Sequence, residues 1–411
     1  MKSARYIKNP NTYIKMDSTN GSDIITVEHR SNNPKRDYLF VNRLQCKHIP
    51  CSPSAMIDMC KNLANKVNSK LADMLTRDES ILVIGFAETA TAIGSFVAQN
   101  LKYKAYIMHT TREDVLNSKE LIRFEEEHSH ATTQKLLTYY DHDTDKFLSR
   151  FSYILFVEDE ISTGKTILNF IDAFKKAGLS SGRQIKFGVA SICNWQNSEC
   201  QKIYKDNNID TFSLLSGELL DTNAKMDIAE SQIYEDGNHI SYACTNVYDI
   251  KDFRSLVLGN IFGGERLGGW DEDALPKSLT YKNLIDRILE ITRGCESVRI
   301  IGTEEFMYIP ISIGKTLEEY GKNVICHATT RSKIDVMKSE FDGEGSGIKL
   351  RCNVRSAYEN GRNTYIYNTN EPTDIVLVIT DSNNRDLFEH TVADIKNAIG
   401  YFGINIVGIV I

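Results

Sequence analysis

The chain has 411 residues and a formal net charge of -7, with 41% hydrophobic and 25% charged residues. This is the composition of an ordinary soluble globular protein, and the length corresponds to about two or three domains. A single small module is therefore excluded. Because the sequence holds only 7 Pro and 25 Gly and no charged or Ser/Gln-rich block, we expect it to be folded nearly throughout.

Targeting signals, cysteines and charge indicate the compartment and the kinds of partner to expect. No stretch reaches the roughly 18 consecutive apolar residues of a membrane span, and the N-terminus lacks the apolar core of a signal peptide. The 9 Cys are odd in number and never form Cys-x-x-Cys, so we expect reduced thiols. The lack of a basic block argues against a nucleic-acid partner. We expect a cytoplasmic protein without a membrane partner.

The first part of the chain predicts a cap and a long helix. Residues 1–50 contain short apolar pairs, which favour short strands or a cap. Ser52 and Pro53 have the order of an N-cap and a first-turn proline, and apolar residues then recur at helical spacing as far as Met74. The apolar run at 81–85 ends in Gly and is typical of a strand buried on both faces.

Strands and helices alternate after this point. The apolar patterns predict further strands at 105–108, 153–157 and 185–192, and helices at about 89–101 and 165–177. Such alternation requires crossover connections and therefore predicts a mainly parallel α/β sheet. In open sheets of this kind, ligands bind beyond the carboxyl ends of the strands.

The same plan returns near the C-terminus. A strand predicted at 298–302 is followed by a helix and a second strand, and the segment Thr329-Thr330-Arg331 then repeats Thr110-Thr111-Arg112. Strands predicted at 374–379 and 405–411 continue the match. We infer that one α/β unit was duplicated. The alternative is that two α/β domains share this spacing by chance.

A Gly-rich segment separates the two halves. Residues 259–270 hold the highest density of Gly in the chain and predict a linker. We place the domain boundary near residue 255. The first domain is then 1–255, including the cap at 1–50, and the second is 256–411.

The strongest local signal is the segment 156–166. A buried strand brings Glu158 and Asp159 to its carboxyl end, and a Ser/Thr/Gly turn then opens a helix. The acids suit sugar hydroxyls or a metal ion. A phosphate can bind to the N–H groups of the helix start, assisted by the hydroxyls of Ser162, Thr163 and Thr166. Together these features predict a site for a 5-phosphorylated ribose.

Two competing interpretations apply to this segment. Gly164-Lys165-Thr166 has the ending of a Walker A loop, but that loop needs Gly where Asp159 stands, which argues against a kinase or an ATPase. The second interpretation is an acidic turn that caps a structural helix, in which Thr163 and Thr166 only satisfy backbone N–H groups.

These residues resemble the signature of the type I phosphoribosyltransferases, in which two adjacent acids precede a Thr-Gly phosphate loop. The chain is also similar to a bacterial subgroup that resembles orotate phosphoribosyltransferases and is found with tellurite-resistance gene clusters. The C-terminal domain of this subgroup is named for a Thr-Arg-Ser-Pro (TRSP) motif. Thr330-Arg331-Ser332 matches that motif, with Lys333 in place of Pro. Further similarity lies at 85–89, 109–113 and 126–131.

The resemblance implies a fold and a set of residue roles. The fold is α/β, with the mainly parallel sheet of a phosphoribosyltransferase and a second, diverged Rossmann-like α/β domain. Glu158 and Asp159 would face the ribose hydroxyls of phosphoribosyl pyrophosphate (PRPP) or its Mg²⁺, which Asp159 would bind directly or indirectly. The 5-phosphate would contact Ser162, Thr163, Gly164, Lys165 and Thr166. The pyrophosphate would lie near Phe86, Ala87, Glu88, Thr89, Thr111 and Arg112.

Residues 113–150 stand where the family has a mobile catalytic lid, and so long a connection is usually functional or disordered. His128 and His130 within it have three interpretations: metal ligands, lid residues over the pyrophosphate or acceptor that can carry a proton, or part of a solvated loop. Glu88 also has three: contact with a cationic acceptor, contact with an Arg, or capping of the helix near Thr89.

The C-terminal half keeps only part of the acid-pair and phosphate-loop pattern. Its segment 380–385 lacks Thr-Gly and retains one acid, Asp381, so we expect PRPP binding to be lost there. Thr330 and Arg331 are either an anion site or structural residues. Because type I phosphoribosyltransferases commonly pair, the resemblance also implies a homodimer or an internal pseudo-dimer.

The sequence thus predicts a Mg²⁺-dependent enzyme that moves ribose 5-phosphate from PRPP to a small nitrogenous acceptor and releases pyrophosphate. Ser162 stands where the 6-oxopurine phosphoribosyltransferases carry an Asp that assists the base, which disfavours hypoxanthine and guanine as acceptors. A PRPP-binding regulator without turnover and a structural α/β scaffold are the alternatives.

Overall fold

The computed structural model describes two compact units of the chain. The described residues are 5–9, 12–16, 24–30, 38–76, 78–115, 118–125, 133–139, 143–179, 184–221, 247–249, 270–271, 279–336, 347–399 and 404–411. Unit 1 holds those within 5–16, 58–221 and 270–271, and unit 2 holds those within 24–57, 247–249 and 279–411.

Unit 1 is built on a 10-stranded sheet. Its central strands are parallel and follow the order β11 (Ile209–Asp221), β10 (Lys186–Asn194), β9 (Phe151–Ile161), β5 (Ser80–Gly85) and β6 (Lys104–Thr111). The flanking strands are antiparallel: β1 (Arg5–Asn9), β2 (Thr12–Met16), β7 (Ser118–Glu125), β8 (Thr133–Tyr139) and β13 (Trp270–Asp271).

The helices along this part of the chain are α1 (Pro53–Leu71), α2 (Thr91–Gln99), α3 (Thr144–Leu148), α4 (Lys165–Lys176) and α5 (Ser198–Asp206). The Ser52 hydroxyl accepts from the N–H of Ala55 at 3.2 Å, so α1 begins at the predicted cap. Helices α2 and α4 lie where the sequence predicts them. The predicted α/β fold with a mainly parallel sheet is confirmed.

Part of the predicted lid is sheet. Strands β7 and β8 lie within 113–150 and pair with each other, and β8 also pairs with β6. Ile122, Phe124 and Leu136 are buried. Alternate apolar residues hold these strands on the core, because every second side chain of a strand points to the same face. The described part of the segment therefore differs from a long loop.

The division into units differs from the predicted boundary near residue 255. Strand β12 (Val247–Asp249) precedes that residue but pairs with a strand of unit 2, whereas β13 follows it and pairs with β6 of unit 1. The predicted cap at 1–50 is also divided, since β3 (Ile25–His29) and β4 (Tyr38–Asn42) pair in unit 2. Pairing between distant segments depends on backbone hydrogen bonds, which local composition does not report.

Unit 2 has a 5-stranded parallel sheet in the order β12, β19 (Asn405–Val410), β18 (Ile375–Thr380), β14 (Ser297–Gly302) and β15 (Asn323–Ala328). It also contains α6 (Leu279–Ile291), α7 (Tyr308–Glu319), α8 (Arg385–Ile399) and the pair β16 (Arg351–Arg355) and β17 (Asn363–Tyr367). The order β19, β18, β14, β15 repeats β10, β9, β5, β6 of unit 1. A duplicated unit would give this order.

Aromatic side chains pack α4 against the sheet of unit 1. Phe170 of α4 is fully buried, and its ring centroid lies 5.6, 5.1 and 5.2 Å from those of Phe86, Phe124 and Phe156. Aromatic pairs at these separations stabilise a core beyond the burial of their area. Because Phe86 begins the turn after β5, this packing also fixes a segment that the sequence assigns to the site.

Replacing Phe170 with Ala should lower the free energy of unfolding by about 3–5 kcal/mol, because the change leaves a cavity among three aromatic rings. Urea denaturation followed by circular dichroism measures the effect. Ile203→Ala is the matched control in the same unit, since Ile203 is 41% exposed and its loss should cost about 0.5 kcal/mol or less. Similar losses for the two variants would contradict the assigned packing.

Candidate active site

Strand β9 carries both acids at its carboxyl end. The strand continues past the predicted 153–157 and ends at Ile161. It pairs with β5 as far as Val157 and with β10 as far as Ile161. Glu158 and Asp159 are consecutive, half-buried residues of this strand. Sheet hydrogen bonding thus fixes the backbone position of both acids.

The loop after β9 is shaped by one glycine. Gly164 has a φ of +76° and directly precedes α4, and such left-handed backbone favours Gly. A Cβ on Gly164 would lie 2.3 Å from the hydroxyl oxygen of Tyr204. That hydroxyl donates to the carbonyl of Gly164 at 2.8 Å. Burial, assisted by the nearby Glu158, raises the pKa of Tyr204, so the phenol remains a donor.

The start of α4 presents donors to an anion. The first N–H groups of a helix have no acceptor within the helix, and the helix dipole makes this end positive. The N–H of Lys165 lies 3.4 Å from the Thr163 hydroxyl. Ser162, Thr163 and Thr166 are half-buried, and Lys165 is exposed. The structure therefore brings the predicted phosphate-binding residues together at one helix end.

The turn after β5 is held beside β9. The N–H of Phe86 donates to the carbonyl of Val157 at 3.1 Å, and the N–H of Ala87 donates to the Thr110 hydroxyl at 2.8 Å. Nε2 of Gln134 in β8 donates to the carbonyl of Ala87 at 3.0 Å, and its Oε1 accepts from the Thr110 hydroxyl. Three strands therefore converge on this turn, next to the acid pair.

Arg112 and Glu88 form an ion pair at the same turn. Nη1 of Arg112 lies 3.6 Å from Oε2 of Glu88, and the two side chains are 8% and 6% exposed. Contact with an Arg was one of the three interpretations of Glu88. No side chain caps α2, whose N-cap is Ala90. Thr89 is half-buried, whereas Thr111 is buried and accepts from the N–H of Glu113 at 3.1 Å. The guanidinium is thus held at the turn by a carboxylate.

His109 lies directly before the Thr-Thr-Arg segment and is fully buried. Its Nε2 is 3.0 Å from the Ser95 hydroxyl, and a Cβ on Gly85 would lie 2.6 Å from its Nδ1. Burial lowers the pKa of His109 to about 3. The imidazole is therefore neutral near pH 7 and joins α2 to β6, and Gly85 allows the close approach.

The two predicted histidines and a metal cluster are not part of the site that the structure describes. His128 and His130 lie outside the described residues, so their three interpretations stay predictions. Within the described ranges, no group of three or more His, Cys, Asp or Glu side chains is arranged to hold a metal ion. No helix among the described residues is long and apolar enough to cross a membrane.

Unit 2 repeats hydrogen bonds of unit 1 at its Thr-Thr-Arg segment. The N–H of Glu304 donates to the first Thr, Thr329, at 3.0 Å, as the N–H of Ala87 does to Thr110. The second Thr, Thr330, accepts from the N–H two residues later at 3.1 Å, as Thr111 does in unit 1. The equivalence that the sequence predicts between the two segments therefore extends to their backbone contacts.

The second-unit candidates Arg331 and Asp381 contact partners within their own unit. Nε of Arg331 lies 2.7 Å from Oε2 of Glu304, and Nη1 of Arg362 lies 2.9 Å from the same oxygen. Glu304 is buried. Asp381 accepts from the Tyr358 hydroxyl at 2.7 Å. Arg331 and Arg362 share one buried carboxylate at hydrogen-bond distance, whereas Arg112 lies 3.6 Å from Glu88, so these contacts favour a structural role for Arg331 over an anion site.

Sequence reasoning did not identify Gln134 or Tyr204 as parts of the site. Gln134 lies in the segment interpreted as a lid, and Tyr204 lies in a short helix outside any motif. The pairing of β8 with β6 brings Gln134 to the turn after β5. The packing of α5 brings Tyr204 to Gly164 in the phosphate loop. No local pattern in the sequence marks either residue.

Family comparison identifies the class of protein. Residues 24–218 match the family described as phosphoribosyl transferase, and residues 269–394 match the TRSP domain that follows it on the C-terminal side. The chain therefore belongs to the phosphoribosyltransferase family and carries the C-terminal TRSP domain. It is a transferase enzyme, and the resemblance seen in the sequence is confirmed.

Several solved phosphoribosyltransferase structures are similar to this chain at low identity. Adenine phosphoribosyl transferase from Trypanosoma brucei, in complex with AMP, pyrophosphate and ribose 5-phosphate, is 11% identical with a TM-score of 0.32, over 51% of this chain and 86% of that one. The Giardia lamblia adenine enzyme is 14% identical (TM-score 0.31; 46% and 93% covered). A hypoxanthine phosphoribosyltransferase from Staphylococcus aureus is 10% identical (TM-score 0.22; 34% and 65%). A search of curated proteins found no match.

Gly164→Ala should lower the free energy of unfolding by at least about 2 kcal/mol, because a left-handed backbone costs a residue with Cβ roughly 1–2 kcal/mol and the new atom also meets Tyr204. Gly178 is the matched control. Its φ is +71°, but a Cβ there would meet no atom within 4 Å, so Gly178→Ala should cost only the roughly 1–2 kcal/mol of the left-handed backbone. Equal losses in urea denaturation would contradict the contact with Tyr204.

Proposed function

We propose that the protein transfers ribose 5-phosphate from PRPP to a small nitrogenous acceptor, with Mg²⁺, and releases pyrophosphate. The observation that carries the proposal is the convergence of three elements at one sheet edge. Glu158 and Asp159 lie near the carboxyl end of β9, the Ser/Thr/Gly loop follows this strand, and the turn after β5 lies alongside with Arg112. Family membership supplies the reaction class, and this arrangement supports the residue roles.

The 5-phosphate site in this proposal is the loop 162–166. Helix N–H groups and hydroxyls bind a phosphate without needing a deep pocket of cations. Gly164 lets the backbone approach the phosphate closely, because it has no Cβ. The net charge of the chain is -7, so attraction of an anionic substrate must come from local groups of this kind.

The acid pair is assigned to the ribose. Carboxylates accept charge-assisted hydrogen bonds from sugar hydroxyls, which are stronger than neutral ones. Departure of pyrophosphate leaves positive charge on the ribose ring, and fixed negative groups nearby stabilise that transition state. Glu158 and Asp159 are held by strand pairing before substrate arrives, so little reorganisation is needed.

Arg112 is assigned to the pyrophosphate, together with Thr111 and the turn formed by residues 86–89. Guanidinium groups bind phosphate oxygens in a bidentate manner. Glu88 is itself anionic and would repel pyrophosphate, so we assign it to positioning the Arg112 guanidinium. The leaving group then lies on the guanidinium side of this ion pair.

The carboxylates at this edge fit a Mg²⁺ ion that arrives with the substrate. Mg²⁺ usually keeps several waters and takes one or two carboxylates together with substrate phosphates, without a cage made by the protein alone. Asp159 is the proposed ligand, directly or indirectly, with Glu158 beside it. A bound ion would supply positive charge to the departing pyrophosphate.

The proposal also covers the setting of the reaction. We propose a cytoplasmic enzyme that works with small molecules and has no nucleic-acid partner, in the tellurite-resistance context of the subgroup that the sequence resembles. We propose that the protein forms a homodimer, or that its two halves form an internal pseudo-dimer. Ser162 cannot act as a base near neutral pH, which keeps hypoxanthine and guanine disfavoured as acceptors.

Asp159→Asn tests the proposed function. Removing the charge from a carboxylate that contacts the ribose or its cation should lower pyrophosphate release from PRPP at least about 10-fold, since charge-assisted hydrogen bonds contribute about 1.5–3 kcal/mol. Asp172→Asn, on the exposed side of α4, is the matched control and should keep wild-type turnover. The assay combines PRPP and Mg²⁺ with a panel of bases and metabolites.

Four outcomes separate the alternatives and test the role of Asp159. Turnover lost in Asp159→Asn and kept in Asp172→Asn supports the enzyme. Calorimetric binding of PRPP by the wild type without pyrophosphate release from any acceptor would favour the regulator. The absence of PRPP binding would favour a structural scaffold, and unchanged turnover in Asp159→Asn would overturn the role of this acid.

A further inference from the structure

Gln134 connects strand β8 to the turn after β5. Its Nε2 donates to the carbonyl of Ala87 at 3.0 Å, and its Oε1 accepts from the Thr110 hydroxyl. The Thr110 hydroxyl in turn accepts from the N–H of Ala87 at 2.8 Å. Ala87, Thr110 and Gln134 therefore form a closed ring of three hydrogen bonds, which holds both the N–H and the carbonyl of Ala87.

This hydrogen-bond ring is shielded from water. Gln134 is 1% exposed, Thr110 is fully buried and Ala87 is 6% exposed. A buried polar group that loses its partner costs free energy, because no water takes the partner's place. Loss of the carboxamide would therefore favour another backbone arrangement of the turn, in which the Ala87 carbonyl finds a new donor.

The carboxamide is not needed to keep β8 in the sheet. Strand β8 pairs with β7 along its length, and Thr110 and Thr111 at the end of β6 also pair with it. Leu136 lies on the same face of β8 as Gln134 and is buried in the core of unit 1. Backbone pairing and apolar burial therefore hold the strand, while the side-chain bonds of Gln134 reach the turn.

Unit 2 fixes the equivalent turn with charged groups. The N–H of Glu304 takes the place of the Ala87 N–H, and the Glu304 carboxylate binds Arg331 and Arg362. In unit 1 the corresponding side chain is only a methyl group, and Gln134 supplies a donor and an acceptor without a charge. The turn of unit 1 is thus held without a further anionic group at the place assigned to pyrophosphate.

We propose that Gln134 is a positioning residue for the leaving group: its carboxamide holds the turn 86–89 in the arrangement that binds pyrophosphate, and it ties this arrangement to the paired strands β7 and β8. This inference rests on the proposed function, which assigns pyrophosphate to the turn and Arg112. When the binding-competent arrangement is only partly populated, the apparent affinity falls by the populated fraction. Loss of the carboxamide should therefore weaken pyrophosphate binding and spare the 5-phosphate loop, which follows a different strand.

The test uses the full-length protein and calorimetry with two probes, pyrophosphate with Mg²⁺ and ribose 5-phosphate alone. Gln134→Met keeps the length of the side chain and removes both hydrogen-bonding groups. It should lower the affinity for pyrophosphate at least about 10-fold and change the affinity for ribose 5-phosphate less than about 2-fold. A purely structural role would not separate the two probes.

Thr138→Val is the matched control. Thr138 is buried in the same strand and lies about 13 Å further along it, at roughly 3.3 Å per residue. This variant also removes a polar group from β8, but at a distance from the turn, so it should keep wild-type affinity for both probes. Urea denaturation compares the stability of the variants.

Thr110→Val breaks the same ring from β6 and is the second variant. It should show the same selective loss of pyrophosphate affinity. The double variant Gln134→Met with Thr110→Val should lose about as much as either single variant, because changes within one hydrogen-bond network are not additive.

Unchanged pyrophosphate affinity in Gln134→Met, or equal losses for the two probes, would overturn the inference. Losses that add in the double variant would also overturn it, as would a wild type that binds ribose 5-phosphate but not pyrophosphate. A wild type that binds neither probe contradicts the proposed function instead.

Discussion

The backbone pairing of β9 is the constraint on which the carboxyl edge of unit 1 depends. On one side β9 pairs with β5 up to Val157, and the N–H of Phe86 continues this contact. On the other side it pairs with β10 up to Ile161. Because both neighbours are parallel, their carboxyl ends meet at the same edge. One strand therefore brings together the acid pair, the phosphate loop, the turn after β5 and the segment after β10.

Local patterns in the sequence predict the parts of this edge that are contiguous in the chain. The apolar run, the acids and the Ser/Thr/Gly turn of residues 156–166 lie within one strand, one loop and one helix start, so periodicity and loop chemistry are sufficient. The repeated Thr-Thr-Arg segment predicts an equivalence that appears as matching hydrogen bonds in the two units.

The remaining parts depend on contacts between distant segments. The contact of Gln134 with the turn after β5 arises only because β8 pairs with β6. The pairing of β12 with β19 and of β13 with β6, across the predicted boundary, also joins distant segments. Tyr204 supports Gly164 from a helix with no motif. Pairing over such separations depends on the whole fold, so a single sequence read locally does not reveal it.

The two units share a strand order and backbone contacts but differ in the ion pairs made by the Arg of the Thr-Thr-Arg segment. In unit 1 the Arg of the repeated segment lies 3.6 Å from Glu88, and the loop before α4 keeps its Thr-Gly pair. In unit 2 the equivalent Arg331 and a second Arg bind one buried carboxylate, and the loop glycine is missing. Two guanidinium groups at hydrogen-bond distance from one buried carboxylate are held more closely than Arg112, which lies 3.6 Å from Glu88. The framework is therefore consistent with an active first unit and a structural second unit.

The most direct test of the account is a crystal structure of the wild-type protein with PRPP and Mg²⁺. The account predicts the 5-phosphate within hydrogen-bond distance, about 3 Å, of backbone N–H groups at the start of α4, with the ribose hydroxyls against Glu158 and Asp159. PRPP bound elsewhere, or a 5-phosphate turned away from the start of α4, would contradict it.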